Sequence, residues 1–151
     1  MLRVHTSRRI LADWRLPPGI RRRGRILHIE PRPGPLAALL ERYATVYEND
    51  VSTDALPSWC FARYVRDKRH QPENWRRPRA FMKLRRGDCE DHVIYEVVRL
   101  RKRGIRAGPW VLRTRPRRFH AVVKLPNGRI LDPSRAAWAA RRALQKWNRK
   151  T

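Results

Sequence analysis

Arg86-Gly87-Asp88-Cys89-Glu90-Asp91 sets a cysteine at the point where a helix is about to start. Asp88 has the side chain of a good N-cap, and Glu90 and Asp91 suit the positive first turn. Val93, Ile94, Val97 and Val98, with Leu100 or Arg101, then recur at helical spacing until Gly104 stops the run. The spacing predicts a helix over 89–103. Beyond Gly104 the chain turns β-branched and aromatic, which predicts strands over 105–112, 119–125 and 129–131, with Pro126-Asn127-Gly128 as the last turn. A helix laid on a small antiparallel sheet is an α+β arrangement.

A thiol at a helix start is placed to be reactive. Unpaired backbone N–H groups and the helix dipole favour thiolate, pulling the pKa down from about 8.5. Arg85 and Arg86 act in the same direction, while Glu90 and Asp91 oppose it, so the sequence leaves the net shift open. The Cys89 backbone N–H could serve as one oxyanion donor, with Trp75 a candidate for the second.

Two later residues complete a nucleophile–base–orienter series in chain order: His120, within the strand-like Arg118-Phe119-His120-Ala121-Val122-Val123, and Asp132, within Leu131-Asp132-Pro133-Ser134. They meet only if they share a sheet face. A two-residue Asn127-Gly128 turn would pair position 123 with 132 and set His120 on the far side. A three-residue Pro126-Asn127-Gly128 loop, or a bulge, restores the common face, and this odd-length connection is the expectation. His92, three residues after Cys89, would need further ligands to hold a metal, and no second Cys/His cluster exists. Neither a metal nor another cofactor is expected.

Upstream, Leu36, Leu39, Leu40, Tyr43, Val46 and Tyr47 form one apolar stripe, predicting a helix over 36–48. A second helix is expected from Leu56 or Pro57, capped by Thr53 or Asp54, with Trp59, Ala62 and Val65 inward. Residues 71–78 read as a loop. A closing basic helix is expected over 135–147, carrying Ala136, Trp138, Ala139, Ala143, Leu144 and Trp147. Residues 1–33, broken by Pro17-Pro18-Gly19 and by the prolines from Pro31 onward, read as an extended basic N-terminal arm with one short strand at 26–29, expected to dock on a partner or on the domain's own surface, the alternative being disorder. The remainder, 34–151, reads as the domain proper.

The 151 residues carry 37 Lys and Arg against 13 acidic residues, a formal net charge of +24. Such a surface attracts polyanions, nucleic acid first among them, and Arg21, Arg22, Arg23 and Arg25 form the candidate anion-binding cluster. No apolar run of ~18 residues predicts a membrane span. The Met1–Arg9 start lacks the apolar core of a signal peptide, so export is not expected. Cys60 and Cys89 are too few for a disulfide framework, and Cys60, between Trp59 and Phe61, reads as a small buried hydrophobe.

Trp75-Arg76-Arg77-Pro78, Gly87-Asp88-Cys89-Glu90-Asp91, Arg103-Gly104-Ile105, His120-Ala121-Val122 and Asp132-Pro133-Ser134 together resemble the bacterial transglutaminase-like cysteine proteinases. The resemblance covers about Trp75 to Ser134. It implies a papain-like core and cleavage or transfer of a peptide or amide bond through a thioester. Cys89, His120 and Asp132 would be nucleophile, base and orienting group, with Asp88, Glu90 and Asp91 supporting the nucleophile helix. A peptide or protein would be the substrate. Departures are the short His-to-Asp interval, the small chain and the strong basic character. Compact versions of the domain occur in bacteriophage genomes, which implies a cytoplasmic or virion location and virion assembly partners. The alternative expectation is a catalytically weak or inactive module of the same fold, serving as a basic structural or nucleic-acid-binding protein.

Overall fold

The helix that Cys89 begins lies at the centre of the fold. The structure, a computed structural model, describes residues 1–49, 62–66, 75–116 and 118–148. Its elements in chain order are β1 (Leu2–His5), α1 (Arg8–Leu11), β2 (Ile20–Arg23), β3 (Ile26–Ile29), α2 (Pro33–Tyr47), β4 (Arg63–Tyr64), α3 (Pro78–Leu84), β5 (Arg86–Gly87), α4 (Cys89–Lys102), β6 (Gly108–Arg115), β7 (Arg118–Lys124), β8 (Ile130–Leu131) and α5 (Pro133–Asn148). Helices and mainly antiparallel sheets make this an α+β fold. Two antiparallel sheets, ordered β1-β3-β2 and β6-β7-β8, stand beside a separate parallel pair, β4 with β5.

In α4, Val93, Ile94, Tyr95, Val97 and Val98 are wholly buried, so the helix is covered on more than one face. Each fully buried aliphatic side chain there contributes about 2 kcal/mol. One side of α4 meets α2, another meets β7, and α3 and α5 close the rest. The acidic groups that a buried helix must carry are paired: Glu96 takes two bonds of 2.7 Å from the Arg99 guanidinium. At the rim, Arg101 Nη2 donates to Glu41 at 2.7 and 3.0 Å and ties α4 to α2.

Residues 1–33 depart from the extended arm expected of them. Val4, Ile10, Ile20, Leu27 and Ile29 point from β1, α1, β2 and β3 into the same hydrophobic core as α2 and α4. Polar contacts fix this docking: Tyr43 Oη donates to the His5 carbonyl at 3.1 Å, Arg42 Nε to the Ile10 carbonyl at 3.0 Å, and Ser7 Oγ meets Tyr47 Oη at 2.8 Å. Apolar residues alternate in β1 but not in β3, where Ile26 and Leu27 are adjacent and only burial alternates, a weak signal in pieces this short, and the prolines fall between the elements rather than inside them.

Further differences are local. Helix α2 starts at Pro33, because a proline in the first turn has no needed N–H to lose, and Arg32 before it is extended. Residues 75–77 are the expected loop, and helix α3 starts at Pro78 and runs over residues for which no element was expected. Around Ala62 and Val65 the chain is bend and strand rather than helix, since Arg63–Tyr64 pairs with Arg86–Gly87. The start of that expected helix, with Trp59 and Cys60, lies outside the described residues, as do 71–74 of the expected loop. Helix α5 turns Ala137 inward and leaves Trp138 half exposed under the Arg142 guanidinium. Among the described residues no helix is long and apolar enough to cross a membrane.

Candidate active site

Each residue of Gly87-Asp88-Cys89-Glu90-Asp91 has a separate physical task. A Cβ on Gly87 would lie 2.5 Å from Asp91 Oδ2 and 2.9 Å from Phe81 Cε2, so the bend into α4 closes only over glycine. Asp88 is the N-cap and accepts from the Asp91 N–H at 3.4 Å. Cys89 is the first helical residue. Asp91, itself buried, accepts from the Arg76 backbone N–H at 2.6 Å and from the Arg76 guanidinium, which holds the 76–78 segment against the helix start. Burial first, then the Asp88 charge, push the Asp91 carboxyl upward against the pull of Arg76.

The Cys89 thiol is free and buried. Its Sγ donates to Glu90 Oε2 at 2.9 Å. Burial, the charges of Glu90 and Asp88, and that bond hold the thiol well above its ordinary pKa, while the Ala121 backbone N–H draws it back. The balance left open by the sequence therefore goes to the protonated thiol in this arrangement. Helix α4 packs on β7, the strand that carries the imidazole.

His120 and Asp132 meet. The Leu125 N–H donates to the Arg129 carbonyl at 2.9 Å, leaving Pro126, Asn127 and Gly128 as a three-residue loop, with Gly128 in the left-handed region at φ 82°. Val123 pairs with Leu131 and Lys124 with Ile130. By that register Asp132 falls beside Val122, on the same face as His120, and His120 Nε2 lies 2.7 Å from Asp132 Oδ2. The odd-length connection is the one observed.

The other oxygen of Asp132 starts α5. Oδ1 accepts from the Arg135 N–H at 3.0 Å and from Ser134 Oγ at 2.9 Å. Asp132-Pro133-Ser134 is thus an N-cap, a first-turn proline and a supporting hydroxyl. Partial burial would raise the Asp132 carboxyl, but the bonds from His120, Arg135 and Ser134 prevail and hold it below its usual value. Reading α5 from Arg135 hid this cap, although aspartate before proline is its signature.

Arg76 and Ser134 stand in the quoted motifs without an assigned role. Tyr64, for which the sequence offers no signal, borders the site: burial and then the charges of Cys89, Asp88 and Glu90 push its hydroxyl up to about 12. Trp75 is a core residue, edge-on to Tyr43 at 5.4 Å. His92 is wholly buried between Phe81 and Tyr64, with no partner of ordinary hydrogen-bond geometry among the described residues, and burial lowers it to about 4. Among the described residues no three His, Cys, Asp or Glu side chains are grouped to hold a metal. On the outer sheet face Leu112 pairs directly with His120, and Trp110 lies one step along; both are exposed. A cleft of about 420 Å³ lined by Tyr43, Tyr47, Trp75 and Arg76 includes none of Cys89, His120 and Asp132.

Compared with models of known families, with curated proteins and with solved structures, the chain matches none.

Proposed function

We propose that this protein is a thiol-dependent hydrolase or acyl transferase built on a papain-like core, acting on a peptide or protein substrate through Cys89, His120 and Asp132. The observation that carries the reading is the 2.7 Å bond between His120 Nε2 and Asp132 Oδ2, on a sheet against which the Cys89 helix packs. With Nε2–H donated to Asp132, Nδ1 is the basic nitrogen of the ring. It takes the thiol proton, and Sγ attacks the substrate carbonyl carbon. The tetrahedral oxyanion collapses to a thioester as the amine departs with the proton from His120. Water or a second amine then gives its proton to Nδ1 and attacks the thioester, and the thiolate leaves and is reprotonated. Exposed Leu112 and Trp110 beside His120 offer an apolar floor for substrate side chains. The reading includes a cytoplasmic or virion location.

A second reading, a catalytically quiet module of the same fold, is favoured by one observation: the buried Cys89 Sγ donates to Glu90 Oε2 at 2.9 Å, which opposes loss of its proton. The deciding experiment follows the alkylation of Cys89 against pH in wild type and His120→Ala. Loss of His120 is expected to slow alkylation at neutral pH about tenfold, a shift of one pKa unit, and Cys89→Ala to abolish it. A thiol indifferent to His120 would reject the triad and leave the quiet module.

A further inference from the structure

The strand register of the N-terminal sheet rearranges the arginine cluster read from the sequence. Leu27 of β3 pairs with Val4 of β1 and Arg22 of β2, and this is the core-facing row. Arg22 is therefore on the wrong pleat for the outer face, and its Nε is spent on the Gly24 carbonyl at 2.9 Å. The outward rows are Arg3–His28–Arg21 and His5–Ile26–Arg23. Arg3, Arg21, Arg23 and His5 are exposed. That face carries no acidic residue, and none of its three guanidinium groups has a carboxylate partner among the described residues.

We infer that this face, set by Arg3, Arg21 and Arg23, binds the phosphate backbone of duplex nucleic acid. Strand spacing puts the Arg3 and Arg21 backbones about 10 Å apart across His28, and Arg21 and Arg23 about 7 Å apart along β2. Arginine forks match phosphate oxygens with paired donors, and the two histidines add N–H groups between them. Like charges on neighbouring strands cost stability when nothing neutralises them, and a phosphate chain laid across the rows removes that cost. The face carries no Phe, Tyr or Trp, and its only rings are the imidazoles of His5 and His28, so a duplex backbone fits it better than a single strand. The site is independent of the thiol chemistry, and its test reads binding alone.

The experiment measures affinity for a fluorescent duplex, a single strand of equal length and anionic vesicles over a series of salt concentrations. It compares wild type with Arg3→Ala/Arg21→Ala/Arg23→Ala and with a control of equal charge loss, Arg79→Ala/Arg106→Ala/Arg115→Ala. The first triple variant is expected to lose at least tenfold more duplex affinity than the control. Its log–log salt slope should be shallower by nearly three, at ~0.9 per phosphate contact. Equal losses in the two triple variants would overturn the inference, as would tighter binding of the single strand or binding of vesicles alone. If circular dichroism shows the triple variant unfolded, Arg21→Gln decides: a slope flattened by about one supports the site, and an unchanged slope rejects it.

Discussion

His120 Nε2 and Asp132 Oδ2 stand 2.7 Å apart because the loop between their strands holds an odd number of residues. One residue fewer would turn Asp132 to the other face of the sheet. The same carboxylate caps α5 through its second oxygen, so the group that meets His120 is itself held by a helix start.

That double duty separates two substitutions. Asp132→Ala removes the cap and the histidine partner together, and about 1 kcal/mol of stability is expected to go with the cap. Asp132→Asn keeps an acceptor for the Arg135 N–H while replacing the carboxylate that faces His120. Thermal melts should place the Asn variant near wild type and the Ala variant several degrees lower, with thiol reactivity reduced in both. An Ala variant as stable as wild type would show that the cap contributes nothing.

Glu90 accepts the hydrogen bond of the Cys89 thiol. Glu90→Gln removes both a neighbouring charge and the carboxylate acceptor, so the apparent pKa of Cys89 should fall and alkylation at neutral pH should quicken by on the order of tenfold, one pKa unit. Mass spectrometry of the alkylated protein over time measures this. An unchanged rate would mean that burial alone keeps the thiol protonated.

His92 supplies a pH dependence with a definite sign. Its folded value, about 4, lies below the ordinary 6.5. The unfolded chain therefore takes up a proton first as the pH drops. The stability belonging to the neutral ring is complete above 6.5 and is lost as the pH falls toward 4, by roughly 3 kcal/mol at the limit. Denaturant melts of His92→Phe should show a flatter pH profile than wild type across that window. Parallel profiles would remove His92 from the account.

Gly87 and Asp91 should fail together. Gly87→Ala forces a methyl group into Asp91 and Phe81, an overpacking that costs about 1–3 kcal/mol. Asp91→Ala leaves the Arg76 backbone N–H and guanidinium without this partner, at a cost of about 3 kcal/mol or more. Because both act on one contact, the double variant should be less destabilised than the sum of the two. Strict additivity in equilibrium unfolding would contradict the shared contact.

What could be read along the chain was what depends on neighbours in sequence. The start of α4 at Cys89, its end near Gly104, the stripe of α2 and the odd loop before Asp132 all rest on capping, period and turn chemistry within a few residues. The roles of Cys89, His120 and Asp132 were named from residue type and order, and the structure supplies the His120–Asp132 bond that such an order requires. Tertiary structure decided the rest. It turned residues 1–33 from an arm into a core-bearing sheet, because strands of four residues form only when partners and a buried face are supplied from elsewhere. It gave Glu90 the hydrogen bond of the Cys89 thiol and Arg76 the Asp91 carboxylate, contacts set by burial and side-chain direction rather than by spacing. It also divided Arg21, Arg22 and Arg23 between two faces and set Arg3 beside His28, since a pleated register joins residues that the sequence keeps apart.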